Sequence, residues 1–342
     1  MNGWFEKNTN GKPRVSAMPY LYDIAEGNVP NHTPWSKLDV CPATGAGPEF
    51  DLWGGTGAIS YPASAMQLEV VSSSGNDIGS INFSGTSTGG STTSLTDTGK
   101  DFTAGTPVVI GDVVLLDTTL CEYGYVTGVT ANTLTVAGGF SGGGTGSGVA
   151  YRIVDISAGG TGAQVVRIIG LNASLVEQCE FVVMNGVAEV PTASSTIYRV
   201  NAFIVTVVGS GGVAAGNISL RHLTNTPVYS YITLGFTRSR NIAYTIPAGK
   251  AVYVIQIDFS YGYSTNQTHY ARLYTRAKQE PNGFISRVFY PYTDVVLSNS
   301  GIFVPLLTPT RLASGVDIKV SGTSTFSGAA TVVLRGWIED SD

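Results

Sequence analysis

Phe181-Val-Val-Met184, Asn185-Gly186, Val187-Ala-Glu-Val190 carries the strongest β signal in the chain. Two short apolar runs flank Asn-Gly. That dipeptide suits a two-residue type I′ turn, in which both central residues need positive φ. The spacing predicts a hairpin. Upstream, Met66, Leu68 and Val70 alternate with Gln67 and Glu69, the period of a half-buried strand. Runs at 164–170, 198–208 and 217–222 add strands, and long amphipathic helical patterns are absent.

The same reading extends to both ends. Ile246-Pro-Ala-Gly-Lys250 reads as a turn entering a strand at 251–260. Further strands fit 268–277, 284–290, 316–321 and 330–339, the last with Val332, Leu334 and Ile338 on one face. Residues 81–158 read as an insertion. Ser84–Gly90 and Ser141–Gly148 are Gly/Ser/Thr-rich flanks, and short strands at 107–116, 121–130, 132–137 and 149–154 suit a small barrel. The flanks predict a module that folds independently on flexible linkers. Seven of the 15 prolines fall in the first 62 residues, which predicts an extended arm over 1–58. The expected architecture is all-β, with β-sandwich or jelly-roll-like domains at 59–80 plus 159–235 and at 236–342. The small barrel occupies 81–158 and the arm precedes them.

Composition narrows the function. Charged residues are 13% of the 342, against about 25% usually, while hydrophobic residues at 43% can still build a core. The net charge is −5, and the 19 Lys and Arg form no run, which argues against nucleic acid. No run of about 18 apolar residues predicts a membrane span. The start, MNGWFEKNTNGKPR, lacks the apolar region of a signal peptide. Cys41, Cys121 and Cys179 are odd in number, far apart and without a CxxC pair. They support neither a zinc ribbon nor a disulfide framework, and read as buried thiols.

Catalytic patterns are weak. Gly85-Thr-Ser87-Thr-Gly89 matches GxSxG, but a nucleophile elbow needs a following helix, and Gly90-Ser-Thr-Thr-Ser94 starts one poorly. Gly142–Gly148 lacks dinucleotide-loop spacing. His32, His222 and His269 form no metal-binding pattern, and Glu339, Asp340 and Asp342 read as a solvated tail. No enzyme activity, metal or cofactor is expected.

The most informative constellation is Tyr270, Arg272, Tyr274 and Arg276, which share one face if 268–277 is a strand. Phe259, Tyr261 and Tyr263 form a second same-face row, and Trp4, Trp35 and Trp53 are spaced along the arm. Tyr, Trp and Arg are the residues enriched at interface hot spots. These ten residues are the candidate interface. A cross-strand Tyr/Arg ladder and a glycan site are the alternatives.

Several segments together resemble a family of tailed-bacteriophage virion structural proteins. They are Val70-Val-Ser-Ser-Ser-Gly-Asn-Asp77, Gly162-Ala-Gln-Val-Val-Arg-Ile-Ile-Gly-Leu171, Met184-Asn-Gly186, Tyr198-Arg-Val-Asn201, Gly209–Ile218 and Tyr244-Thr-Ile-Pro-Ala-Gly-Lys250. The resemblance covers most of 59–342, with 81–158 interrupting a junction that is direct in typical members. The insert is similar to a small β module of phage structural proteins. The resemblance brings no catalytic residues. It implies a passive virion role, and capsid decoration is the expected one: binding the major capsid protein on the capsid exterior, with other copies of itself as a homotrimer. The chain would be made in the host bacterial cytoplasm. A tail or fibre component that binds a receptor or glycan is the alternative.

Overall fold

A computed structural model describes residues 19–44, 47–55, 58–118, 120–138, 140, 146–262, 271–279, 284–297, 300–324 and 328–341. The chain forms two compact units. One holds the described residues up to Trp53 and those from Asn241 onward; the other is Gly54–Arg240. The first unit opens with helix α1 (Pro19–Ala25) and strands β1 (His32–Thr44) and β2 (Gly47–Asp51). The second carries β3 (Leu68–Ser72), β4 (Ile81–Thr86), β5 (Gly89–Ser91), β6 (Ser94–Thr96), β7 (Val113–Leu116), β8 (Glu122–Val129) and β9 (Thr133–Ala137). It continues through β10 (Ala150–Val154), β11 (Ala163–Leu171), β12 (Glu177–Val183), β13 (Val190–Pro191), β14 (Arg199–Val208), β15 (Ile218–His222) and β16 (Val228–Ile232). The chain then returns to the first unit with β17 (Tyr244–Thr245), β18 (Lys250–Gly262), β19 (Ala271–Gln279), β20 (Ile285–Leu297), β21 (Ser300–Leu312), β22 (Asp317–Ser324) and β23 (Gly328–Asp340). The fold is all-β, and the described strand pairs are antiparallel.

Strand β11 explains the second unit. Its run Ala-Gln-Val-Val-Arg-Ile-Ile-Gly-Leu is nearly continuous in apolar residues, the pattern of a strand covered on both faces. It is the middle of a three-stranded sheet, β12-β11-β14. Val166 and Ile168 pack with Leu68, Val70, Ile218 and Leu220 of the sheet β13-β3-β15-β16. On the other face, Val165, Phe181 and Val207 pack with Val113, Leu115 and Val154 of the inserted sheet. That sheet runs β4-β10-β7-β8-β9-β6-β5. Its two end strands, β4 and β5, are separated in sequence only by Ser87 and Thr88. One bent segment therefore pairs with β10 at one end and with β6 at the other, and the sheet closes on itself.

Three expectations are corrected here. Phe181–Val190 is not a hairpin: β12 pairs with β11, whereas β13 pairs with β3 in another sheet. Gly186 has φ +63°, but Asn185 has none of the positive φ that a type I′ turn demands. The amide of Gly186 donates to the Asp77 carbonyl, and the Gly186 carbonyl accepts from Ser72. The Asn-Gly pair therefore carries the chain between sheets. Secondly, the flank Ser84–Gly90 is the bend from β4 into β5 and not a linker, and the insert is not loosely tethered: it shares a hydrophobic layer with its host. Of the other flank, 141–145 lie outside the described residues. Thirdly, Cys121 and Cys179 form a disulfide joining insert to host, with Cα atoms 5.7 Å apart; Cys41 is a buried thiol.

The first unit has two sheets, β1-β23-β18-β21 and β17-β22-β19-β20, with β2 also pairing β22. Both sheets contribute to one core, which includes Val252, Ile257 and Leu334 from the first sheet and Leu273, Ile318 and Val320 from the second. Val332 and Leu334 are buried there, with Ile338 packed against them. The turn at 246–250 forms as expected: Gly249 has φ +69°, the Lys250 amide donates to Pro247, and β18 begins at Lys250. The described part of 1–58 docks on its own unit. Strand β1 pairs with β23 from His32↔Glu339 to Thr44↔Gly328, so its prolines sit on an edge strand, where a missing donor is tolerated. Two of the three C-terminal acids are not a tail, and Asp342 lies outside the described residues. Glu339 and Asp340 lie in β23, bound to His32 at 2.8 Å and to Lys250 respectively.

Candidate functional site

Strand alternation places Arg272, Tyr274 and Arg276 on the outer face of β19, with Leu273 and Ala277 in the core. The neighbouring strands supply partners for these cations. Asp294 on β20 accepts from Arg272 Nε at 2.8 and 2.9 Å, and Glu49 on β2 accepts from Arg276 Nη1 at 2.6 Å. Lys278 meets Asp317 at 2.7 Å, and Lys319 meets Asp51 at 2.8 Å. The Arg276 guanidinium lies 4.6 Å from the centre of the Tyr274 ring, and Tyr274 is buried. Hydrogen bonds from Arg272 hold the Asp294 carboxyl below the usual carboxylate range, and burial pushes the Tyr274 hydroxyl up. The face is a cross-strand ladder whose charges satisfy one another.

The remaining candidates fall elsewhere. Phe259 and Tyr261 are core residues, 2% and 1% exposed, and the Tyr261 hydroxyl bonds Ser324 at 2.8 Å. They offer no surface to a partner. Trp35 packs on Tyr244 at 5.5 Å between ring centres, and Trp53 is buried. Trp4, Tyr263 and Tyr270 lie outside the described residues.

Exposed apolar side chains that sequence reading missed lie on β20 and β21. These two 13-residue strands are consecutive, and each ends its sheet. Val288, Val296 and Phe303 are 63%, 64% and 62% exposed, with Ile302 and Phe284 exposed beside them. The β-branched residues of 295–296 and 302–304 were the available signal. Pro305 and Pro309 interrupt the second run and hid the strand.

The segments of the phage resemblance have a structural meaning in the second unit. Asp77 is fully buried. Its Oδ1 accepts from the amides of Ala163 at 2.6 Å and Ala215 at 2.8 Å; its Oδ2 accepts from Ser72 Oγ at 2.5 Å and the Gly216 amide at 2.9 Å. Segments 70–77, 162–171 and 209–218 thus meet at one carboxylate, and 184–186 joins them at the Asp77 main-chain carbonyl. A Cβ on Gly162 would overlap Asp77, and one on Gly209 would overlap the Gly160 carbonyl. Four donors occupy both carboxylate oxygens, so the group is a structural pin with no lone pair presented to a substrate.

The weak catalytic patterns resolve the same way. Ser87 is buried at the bend between β4 and β5, donating to Gly146 at 2.5 Å and accepting from Val149 at 3.1 Å. His222 bonds Thr224, and His32 bonds Pro30 and Glu339. Inside the barrel Tyr151 donates to Asp97 at 2.7 Å; burial, and then Asp97, push its hydroxyl far up. Among the described residues no group of three His, Cys, Asp or Glu is placed to hold a metal, and no helix is long and apolar enough to cross a membrane. No protein-family model matches the chain, and no curated protein matches it.

Proposed function

We propose that the chain is a structural virion protein that binds the outside of a tailed-phage capsid and stabilises the shell, with the major capsid protein and further copies of itself, as a homotrimer, for partners. The observation that carries this reading is the set of exposed apolar side chains on β20 and β21, next to a β19 face whose charges are already paired. Large apolar side chains left exposed on edge strands are candidates for an interaction site. The resemblance of the segments that meet at Asp77 supplies the phage context. Binding only to the assembled shell would stabilise that state by mass action. The Cys121–Cys179 disulfide suits a particle that persists in an oxidising medium outside its host.

The test is antibody labelling of virions, paired with occupancy of purified capsids by the full chain and by a Val288→Ser/Phe303→Ser double variant. Label on the shell and a sharp fall in occupancy for the variant are expected. Label on the tail would replace this reading with that of a tail component. Undiminished occupancy by a folded variant would move the contact off β20–β21.

A further inference from the structure

The second unit holds a cleft of about 940 Å³ between the rim of its inserted barrel and the rim of the sheet that carries β13. Its floor is the edge of β12. Strand β12 ends its sheet, and among the described residues no strand pairs along its outer side. The amide of Met184 donates to the Gln164 carbonyl, which sets the phase of the ladder with β11. Residues 178, 180 and 182 therefore exchange bonds with β11, while Cys179 and Phe181 turn N–H and C=O outward. Consistent with this phase, Arg152 Nη2 donates to the Phe181 carbonyl at 3.0 Å from the barrel side.

We propose that this edge is a strand-addition site, taking an extended peptide segment of another polypeptide that bears a Lys or Arg. Backbone groups turned outward from a sheet edge are the recognition element of strand addition, and flanking walls select alternate side chains. Here the walls are present on both sides. Val190 and Pro191 stand on one, Ile81 and the disulfided Cys121 on the other. Asp117 is paired with Arg152 at 2.6 Å, which leaves Glu180, among the described residues, as the one lining charge without a countercharge and makes the lining net acidic. Two further lining groups, Gln178 Nε2 and Thr118 Oγ1, are buried without a hydrogen-bond partner. Glu180 holds the amides of Ala193 and Ser194, which fixes the opposite rim without filling the cleft. The inference stands independently of any virion role.

The experiment uses the full-length chain with its disulfide intact. A display library of random peptides matching the seven residues of β12 is the probe. Enriched peptides should alternate apolar residues and carry a basic one. On binding they should slow hydrogen exchange at the Cys179 and Phe181 amides. Exchanging the basic residue for Glu should weaken binding at least about tenfold. Ala193→Trp keeps the amide that Glu180 holds but fills the cleft, and should abolish binding. Failure to enrich any peptide would overturn the proposal. So would peptides that leave exchange at Cys179 and Phe181 unchanged in the unmodified chain, a readout that needs no variant to fold.

Discussion

The two units are polar in opposite ways. In the second, the decisive polar group is sealed: Asp77 is fully buried and bound by three backbone amides and one hydroxyl. In the first, the conspicuous polar groups include two exposed side-chain ion pairs on the outer face of β19, Arg272–Asp294 and Arg276–Glu49. A sealed carboxylate fixes several loops at once, because losing it strands every donor it satisfied. Surface pairs hold little, because water competes for each partner. The difference also comes with its own reporter. Trp4, Trp35, Trp53 and Trp337 all fall outside 54–240, so tryptophan fluorescence follows the first unit and not the second.

The largest effect is expected from removing residues 81–158 and joining Ser80 to Gly159. The deletion strips the cover from Val165, Phe181 and Val207 and leaves Cys179 unpaired. Burying a side chain of this kind contributes about 1.5–3 kcal/mol each. The product should be insoluble or unfolded over 54–240. A soluble product with a cooperative transition would show that the shared layer is dispensable.

Next comes Asp77→Ala. Two buried amides and one part-buried amide lose their acceptor, which should cost about 3 kcal/mol or more. Urea unfolding followed by circular dichroism should show an early transition, while the tryptophan signal stays in place. Co-movement of both signals would mean that the units unfold as one. Cys179→Ser should cost about 2–4 kcal/mol, since the bridge closes a loop spanning a sequence separation of 58. A reductant should reproduce that loss in the unmodified chain, again without moving the tryptophan transition.

The β class was legible because period two is local: Leu68 and Val70 turn inward as their alternation requires. Strand partners were not legible. Asn185-Gly186 has hairpin chemistry, yet its geometry is fixed by Asp77 and Ser72, more than 100 residues away in sequence. Likewise the cysteine spacing excluded a motif but said nothing about which distant residues the fold brings within 5.7 Å. The Tyr/Arg row was found as a same-face stripe. That it is spent on Asp294 and Glu49 depends on β20 lying beside it and on β2 pairing with its other neighbour, β22, which no pattern within 270–276 encodes.

The smallest effect is a difference in pH response. Asp112 in the insert is shifted up, first by burial and also by repulsion from Asp155, against hydrogen bonds from the Val109 and Ile156 amides and Asn82. Its folded form therefore binds a proton more readily than its unfolded form. Its contribution to stability must fall as pH rises through the window between about 3.9 and the raised value. Asp294 is shifted down by Arg272, so its stabilisation is present above about 3.9 and is lost as pH falls through the lowered value. Exposure weakens that second contribution, and salt should remove most of it. On acidification from neutrality, the second unit should thus gain from Asp112 before the first loses from Asp294. Unfolding midpoints for the two signals between pH 7 and 3 would test this. Asp112→Asn should flatten the circular-dichroism response and leave the fluorescence response alone; Asp294→Asn should do the reverse. Equal flattening of both signals by either substitution would assign the pH response to groups shared by the units.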